Sequence, residues 1–157
     1  MKTKFLFILL VLPVFAFSQV GINTTNPQST LDINGNLSVK VVTLTGNSTG
    51  NQSNAGSTIT IDDGVYISVD PQVQDDTFEL PDPSDVPGRI YFIRNVNQTN
   101  TVTAKIVTEA GLLFSSGSTI NGVSELYLYE NVGTSEFRKS VTVISDGANW
   151  TYFFGLF

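Results

Sequence analysis

The chain has 157 residues with 8 basic and 14 acidic side chains, a net charge of −6, and neither histidine nor cysteine. Serine–histidine triads, thiol nucleophiles, imidazole acid–base chemistry and His- or Cys-ligated zinc are thereby excluded, as are disulfides. An acidic chain without clustered Lys and Arg also repels polyanions, so nucleic acid is not an expected partner.

In chain order, the first element is a targeting segment. Met1-Lys2-Thr3-Lys4 is basic, Phe5 to Phe17 is apolar except for Pro13, and Ala16-Phe17-Ser18 supplies small residues at the positions a signal peptidase reads. The run is shorter than the roughly 20 apolar residues a membrane span needs. The expectation is a signal peptide over 1–18, cleavage after Ser18, and an exported protein at the cell surface or beyond, with no membrane span after cleavage. Cleavage would remove Lys2 and Lys4 and leave 6 basic residues against 14 acids, a net charge of −8.

Beyond it, helical periodicity is almost absent and short apolar runs bounded by turn residues recur. Strands are expected near Thr30–Ile33, Leu37–Thr45, Thr58–Ile61, Gly64–Val69, Thr77–Leu80, Arg89–Val96, Thr101–Val107, Ser124–Tyr129, Lys139–Ser145 and Trp150–Phe154. Asn34-Gly35, Asp63-Gly64, Pro87-Gly88, Asn121-Gly122 and Asp146-Gly147 mark turns. The fold class implied is all-β: an antiparallel sandwich, jelly roll or small barrel.

Residues 19–45 read as a short N-terminal β connector or stalk, 46–57 as a polar linker or long loop (GNSTGNQSNAGS), and 58–157 as a β head. The N-terminal piece reads equally as two more strands of one domain. At Asn34-Gly35 a three-residue hairpin loop pairs Ile33 with Leu37 and Leu31 with Val39, gathering the apolar side chains on one face.

Several strands are apolar on both faces: Ile90 and Phe92 alternate with Tyr91 and Ile93, Leu126 and Leu128 with Tyr127 and Tyr129, and Trp150, Tyr152 and Phe154 flank Phe153. A sheet with one wet face alternates apolar with polar instead. A second subunit is one cover for the surplus; the centre of a sandwich with half-exposed outer aromatics is the other.

Candidate chemistry is sparse. Glu109, Glu125, Glu130 and Glu136 would serve a glycosidase only if two of them converge within about 10 Å. Asp62, Asp63, Asp70, Asp75, Asp76, Glu79, Asp82 and Asp85 form an acidic stretch without a base, yet no calcium-loop pattern fits it, and Asp32, Asn34, Gly35 and Asn36 match that pattern only in part. Solvated turn acids are the simpler reading, and no catalytic residue, metal ligand or cofactor is assigned. Trp150, Tyr152, Tyr127 and Tyr129 are the candidate ligand-binding residues, as a stacking platform for sugars; core packing accounts for the same residues. The final Phe157 suggests an outer-membrane barrel strand, but Asn149, Thr151, Phe153 and Gly155 give no lipid-facing apolar row.

Val20 to Leu37 (VGINTTNPQSTLDINGNL) resembles a segment common in phage tail-fibre-like and repetitive surface proteins of Bacteroidetes-type bacteria, with Asn23 where the pattern has Gly. Leu80–Asn95, Ile120-Asn121-Gly122 and Val143–Trp150 together are similar to a pattern near the C-termini of tail-fibre-like proteins. The resemblance implies a β-structured, often trimeric module that binds surfaces or glycans, with no fixed catalytic residues. The chain departs from it in having no repetitive shaft, no coiled-coil heptads and no self-cleaving chaperone domain. The function implied is a non-enzymatic module of surface assembly or adhesion, a homo-oligomer with a trimer favoured and with glycan or cell-surface partners. The alternatives are a monomeric lectin-like domain and a two-carboxylate glycoside hydrolase.

Overall fold

In the computed structural model, the described residues are 20–23, 25, 31–47, 58–97, 102–117, 120–129 and 138–155. The expected signal peptide, most of the expected polar linker, Glu130, Glu136 and Phe157 lie outside them. All regular elements among the described residues are strands, so the fold is all-β. The chain divides into two compact units, Met1–Ser38 and Val39–Phe157.

The first unit holds β1 (Val20–Ile22) and β2 (Leu31–Ile33), paired in parallel with Ile22 against Ile33. Asn23 adopts φ 56°, and its side-chain amide donates to the Asn34 carbonyl at 3.0 Å. The Asn34 amide donates back to Ile22 O at 3.1 Å. The hairpin expected at Asn34-Gly35 is therefore not formed: Leu31–Ile33 pairs with the residues before it in sequence, and Leu37–Lys40 is not in a strand. A short run such as Leu-Asp-Ile fixes its own face but not its partner, and at Asn34 the amide goes to Ile22 and the carbonyl to the Asn23 side chain instead.

The second unit contains β3 (Val41–Thr45), β4 (Ile59–Thr60), β5 (Tyr66–Asp70), β6 (Asp76–Leu80), β7 (Ile90–Asn95), β8 (Ala104–Thr108), β9 (Leu113–Ser115), β10 (Glu125–Leu128), β11 (Ser140–Ser145) and β12 (Trp150–Phe154). They form a six-stranded sheet, β3-β5-β7-β11-β12-β9, and a four-stranded sheet, β10-β8-β6-β4. Val41–Thr45, read with the N-terminal connector, is thus the edge of the larger sheet.

Both sheets are mixed, which corrects the expectation of antiparallel pairing throughout. From β3 to β8 successive strands fall in alternate sheets, so each strand meets the next but one, which re-enters from the same end. β3 with β5, β5 with β7, β4 with β6 and β6 with β8 are accordingly parallel. Antiparallel pairing appears where the chain turns back, between β8 and β10, β7 and β11, and β11 and β12.

Strand alternation sorts the side chains. Ile67, Val69, Tyr91, Ile93, Leu113, Val141, Val143 and Trp150 from the larger sheet join Ile61, Phe78, Leu80, Ala104, Ile106, Leu126 and Leu128 in one hydrophobic cluster. Each fully buried aliphatic or aromatic side chain contributes about 1.5–3 kcal/mol by leaving water. Asn95, at 0% exposure, ties this interior together. Its amide donates to Val102 O (3.1 Å) and Leu128 O (3.0 Å), and its oxygen accepts the Asn97 amide (3.0 Å).

At one end of the larger sheet, residues 83–88 and 145–149 meet. The Ser145 hydroxyl donates to Pro83 O (2.9 Å), and the Gly88 amide donates to Ser145 O (3.0 Å). Asp146 accepts the amides of Ala148 (2.8 Å) and Asn149 (2.7 Å), bonds that hold its carboxyl below the usual carboxylate range. These residues shape a turn, and the Asn149 side chain extends it by accepting the Leu112 amide at 3.0 Å.

Candidate functional site

The four aromatic candidates are not brought together. Trp150 is 0% exposed, inside the core, with its ring centroid 5.8 Å from that of Tyr91. Trp150 Nε1 and Tyr91 Oη are both buried with no hydrogen-bond partner, and burial raises the Tyr91 pKa. Tyr152 lies two residues on along the same face of β12, half-buried against the core and edge-on to Phe154 at 5.2 Å. Trp150 therefore presents no open ring to a ligand.

Tyr127 and Tyr129 do form a pair. In β10 the apolar residues Leu126 and Leu128 point into the core, so Glu125, Tyr127 and the following Tyr129 turn the other way. The two rings stack with centroids 6.5 Å apart and planes inclined by 25°. This offset arrangement suits aromatic quadrupoles. Tyr129 is 43% exposed, and its amide donates to Arg138 O at 3.0 Å.

The Tyr127 hydroxyl donates to Glu125 Oε1 at 2.8 Å. That hydrogen bond to a carboxylate is the main reason its pKa is pushed up to about 12. The phenol is therefore neutral over the whole physiological range and fixed in direction. Across the sheet, Tyr127 stands opposite Lys105 and Lys105 opposite Thr77, while Glu125 stands opposite Val107 and Val107 opposite Glu79. The outer face of the four-stranded sheet thus sets aromatic rings beside an amine and carboxylates, while Thr77, 7% exposed, spends its hydroxyl on Asp75 O. Such a surface can stack on the apolar side of a sugar ring and bond its hydroxyls.

Lys105 was not foreseen. It sits inside an apolar strand, between Ala104 and Ile106, and only the register of β8 against β10 places it opposite Tyr127. No motif in the sequence announces which strand will lie beside which.

Part of the acidic stretch is spent on holding neighbouring backbone and side chains. Asp76, 2% exposed, accepts the amides of Gln72 (2.7 Å) and Val73 (3.1 Å). Asp70 accepts from the Asn97 amide at 2.9 Å, and Asp63 pairs with Lys40. That side-chain bond and the Gly64 amide lower the Asp63 pKa, as the Ser84 hydroxyl and amide do for Asp82. Among the described residues no three acidic side chains converge as a metal cluster. Of the glutamates, Glu109 and Glu125 are both exposed.

Among the described residues no helix is long and apolar enough to cross a membrane. No protein-family model, curated protein or solved structure matches the chain.

Proposed function

We propose that the protein is an exported, non-enzymatic β module that acts in surface assembly or adhesion, its two sheets forming the faces of a sandwich and its copies joining as a homo-oligomer, with the trimer of tail-fibre-like proteins as the preferred form. The observation that carries this reading is the outer face of the six-stranded sheet. Its interior-facing residues fill the core, yet the other face still carries Val41, Tyr66, Ile90, Phe92, Phe114, Ile144 and Phe153. Ile90 is 39% and Val41 62% exposed. Tyr66, Phe92, Thr142 and Phe153 stand in register across four strands, an uncharged band of three aromatic rings with Thr142 between the last two. Bands of this kind, depleted in charge and rich in aromatics, resemble interface cores. Light scattering of the purified protein tests the reading: a mass two- or threefold that of one chain at micromolar concentration is expected, and a stable monomer counts against it.

A second reading, a carbohydrate-binding module, is favoured by the stacked Tyr127–Tyr129 pair. A glycan array tests it. Binding that is lost in Tyr129→Ala, with the unfolding midpoint unchanged, supports the reading; binding that survives this substitution removes the site.

A further inference from the structure

We propose that β3 is the strand by which two copies of this chain join, edge to edge and antiparallel, so that two six-stranded sheets become one. The inference rests on the self-assembly reading above, takes its two-chain form in place of the trimer because a two-fold contact closes after two copies, and names the contact.

Free strand edges are liabilities, and folded proteins blunt them with short strands, charges, prolines, bulges or covering segments. Of the four edges of the two larger sheets, three are blunted in this way. β4 has 2 residues. β10 begins with Glu125, and β9 is bridged by Val123 through Leu113. The fourth, β3, is different. Its sequence is VVTLT, five residues with no charge, no proline and no bulge in its ladder with β5.

The ladder also shows which groups are free. Lys40 O accepts the Tyr66 amide, and the Gly46 amide donates to Asp70 O, so even-numbered residues bond to β5. The amides and carbonyls of Val41, Thr43 and Thr45 consequently face away from the sheet, where no described strand lies. Their side chains are exposed as well.

A second copy fits this edge better than an arbitrary strand does. Set antiparallel on a two-fold axis, Thr43 meets Thr43 of the other copy and Val41 meets Thr45, and each outward amide finds an outward carbonyl. The facing side chains are uncharged and β-branched, a favourable cross-strand combination. The chain carries a net charge of −6, so two copies approach most easily through a surface without charge, which β3 provides. Finally, Val41 is opposite Tyr66 and Tyr66 opposite Phe92, so joining the edges merges the apolar bands of the two copies.

The test uses four forms of the whole protein, with mass read by light scattering at matched concentration and folding checked by circular dichroism. Thr43→Pro removes an outward amide that β5 does not use, and Thr43→Lys and Thr43→Glu each set like charges on the axis. The expected result is that each variant alone has half the mass of the unsubstituted protein, and that mixing Thr43→Lys with Thr43→Glu restores it. The restoration shows that the variants fold. An unsubstituted oligomer whose mass survives all three substitutions overturns the β3 contact and leaves self-assembly standing. A monomer in every form overturns both.

Discussion

Individual residues carry distinct physical loads. Asn95 links β7 to the carbonyls of Leu128 and Val102, so its truncation removes both bonds, the one to Leu128 O from a buried acceptor. Asn95→Ala should destabilise the protein by about 2–4 kcal/mol in urea titrations, whereas an exposed polar residue such as Gln72 should tolerate the same change. Tyr127 gives a pH signature. Its pKa is raised, so the folded state favours the neutral phenol; the stabilising hydrogen bond is intact below pH 10 and is lost as pH rises through about 12. Ultraviolet titration near 295 nm should show a late-titrating fraction that contains Tyr127, at about 12, and the buried Tyr91, whose pKa is also raised, and Glu125→Gln should return the Tyr127 share alone toward 10. Trp150 shows what residue type alone leaves undecided. An aromatic ring beside Asn and Asp reads as a binding platform or as core, and only the pairing of β12 inside the larger sheet places it at 0% exposure. Trp150→Ala should therefore act on stability, by about 3–5 kcal/mol, and affect any ligand only through unfolding.

At the level of elements, alternation made most strands legible. Tyr66–Asp70, Ile90–Asn95, Glu125–Leu128 and Ser140–Ser145 each place every second side chain inside, the period expected of a strand. Leu113–Ser115 was missed because Leu112, Leu113 and Phe114 are consecutive and apolar without alternation. Pairing direction was not legible. Sequence shows that a strand exists but not that the chain crosses to another sheet before returning, and this crossing is what makes the ladders from β3 to β8 parallel. The turns were more transparent, since Asp63-Gly64 and Asp146-Gly147 carry glycines at φ 82° and 90°. They should differ in tolerance. A Cβ on Gly147 meets nothing nearer than Pro87 Cβ at 3.5 Å, so Gly147→Ala should cost about 1–2 kcal/mol, the backbone term alone. On Gly64 it would lie 2.7 Å from Val42 Cγ2, and Gly64→Ala should lower the unfolding midpoint further.

For the whole molecule, the composition bore on chemistry more than on partners. Absent histidine and cysteine remove several kinds of catalysis outright, but the surfaces that would bind something, the Tyr127–Tyr129 pair and the band from Tyr66 to Phe153, exist only once separate strands are set in register. The alternation of β3 to β8 between sheets has a further consequence for how the molecule forms. None of these strands can pair with its neighbour in the chain, so none can zip up locally; each ladder must wait for an intervening segment to be placed. The β11–β12 ribbon around Asp146-Gly147 is the pair joined by a tight turn, and it lies at the end of the chain. Refolding should consequently be slow for a protein of this size, with rate constants toward the seconds range. Val143→Ala, in the ribbon, should slow refolding, whereas Val69→Ala should mainly hasten unfolding. Stopped-flow chevrons on the two variants would separate these behaviours, and a chain emerging from its amino end would leave β7 bare along one side until β11 follows it.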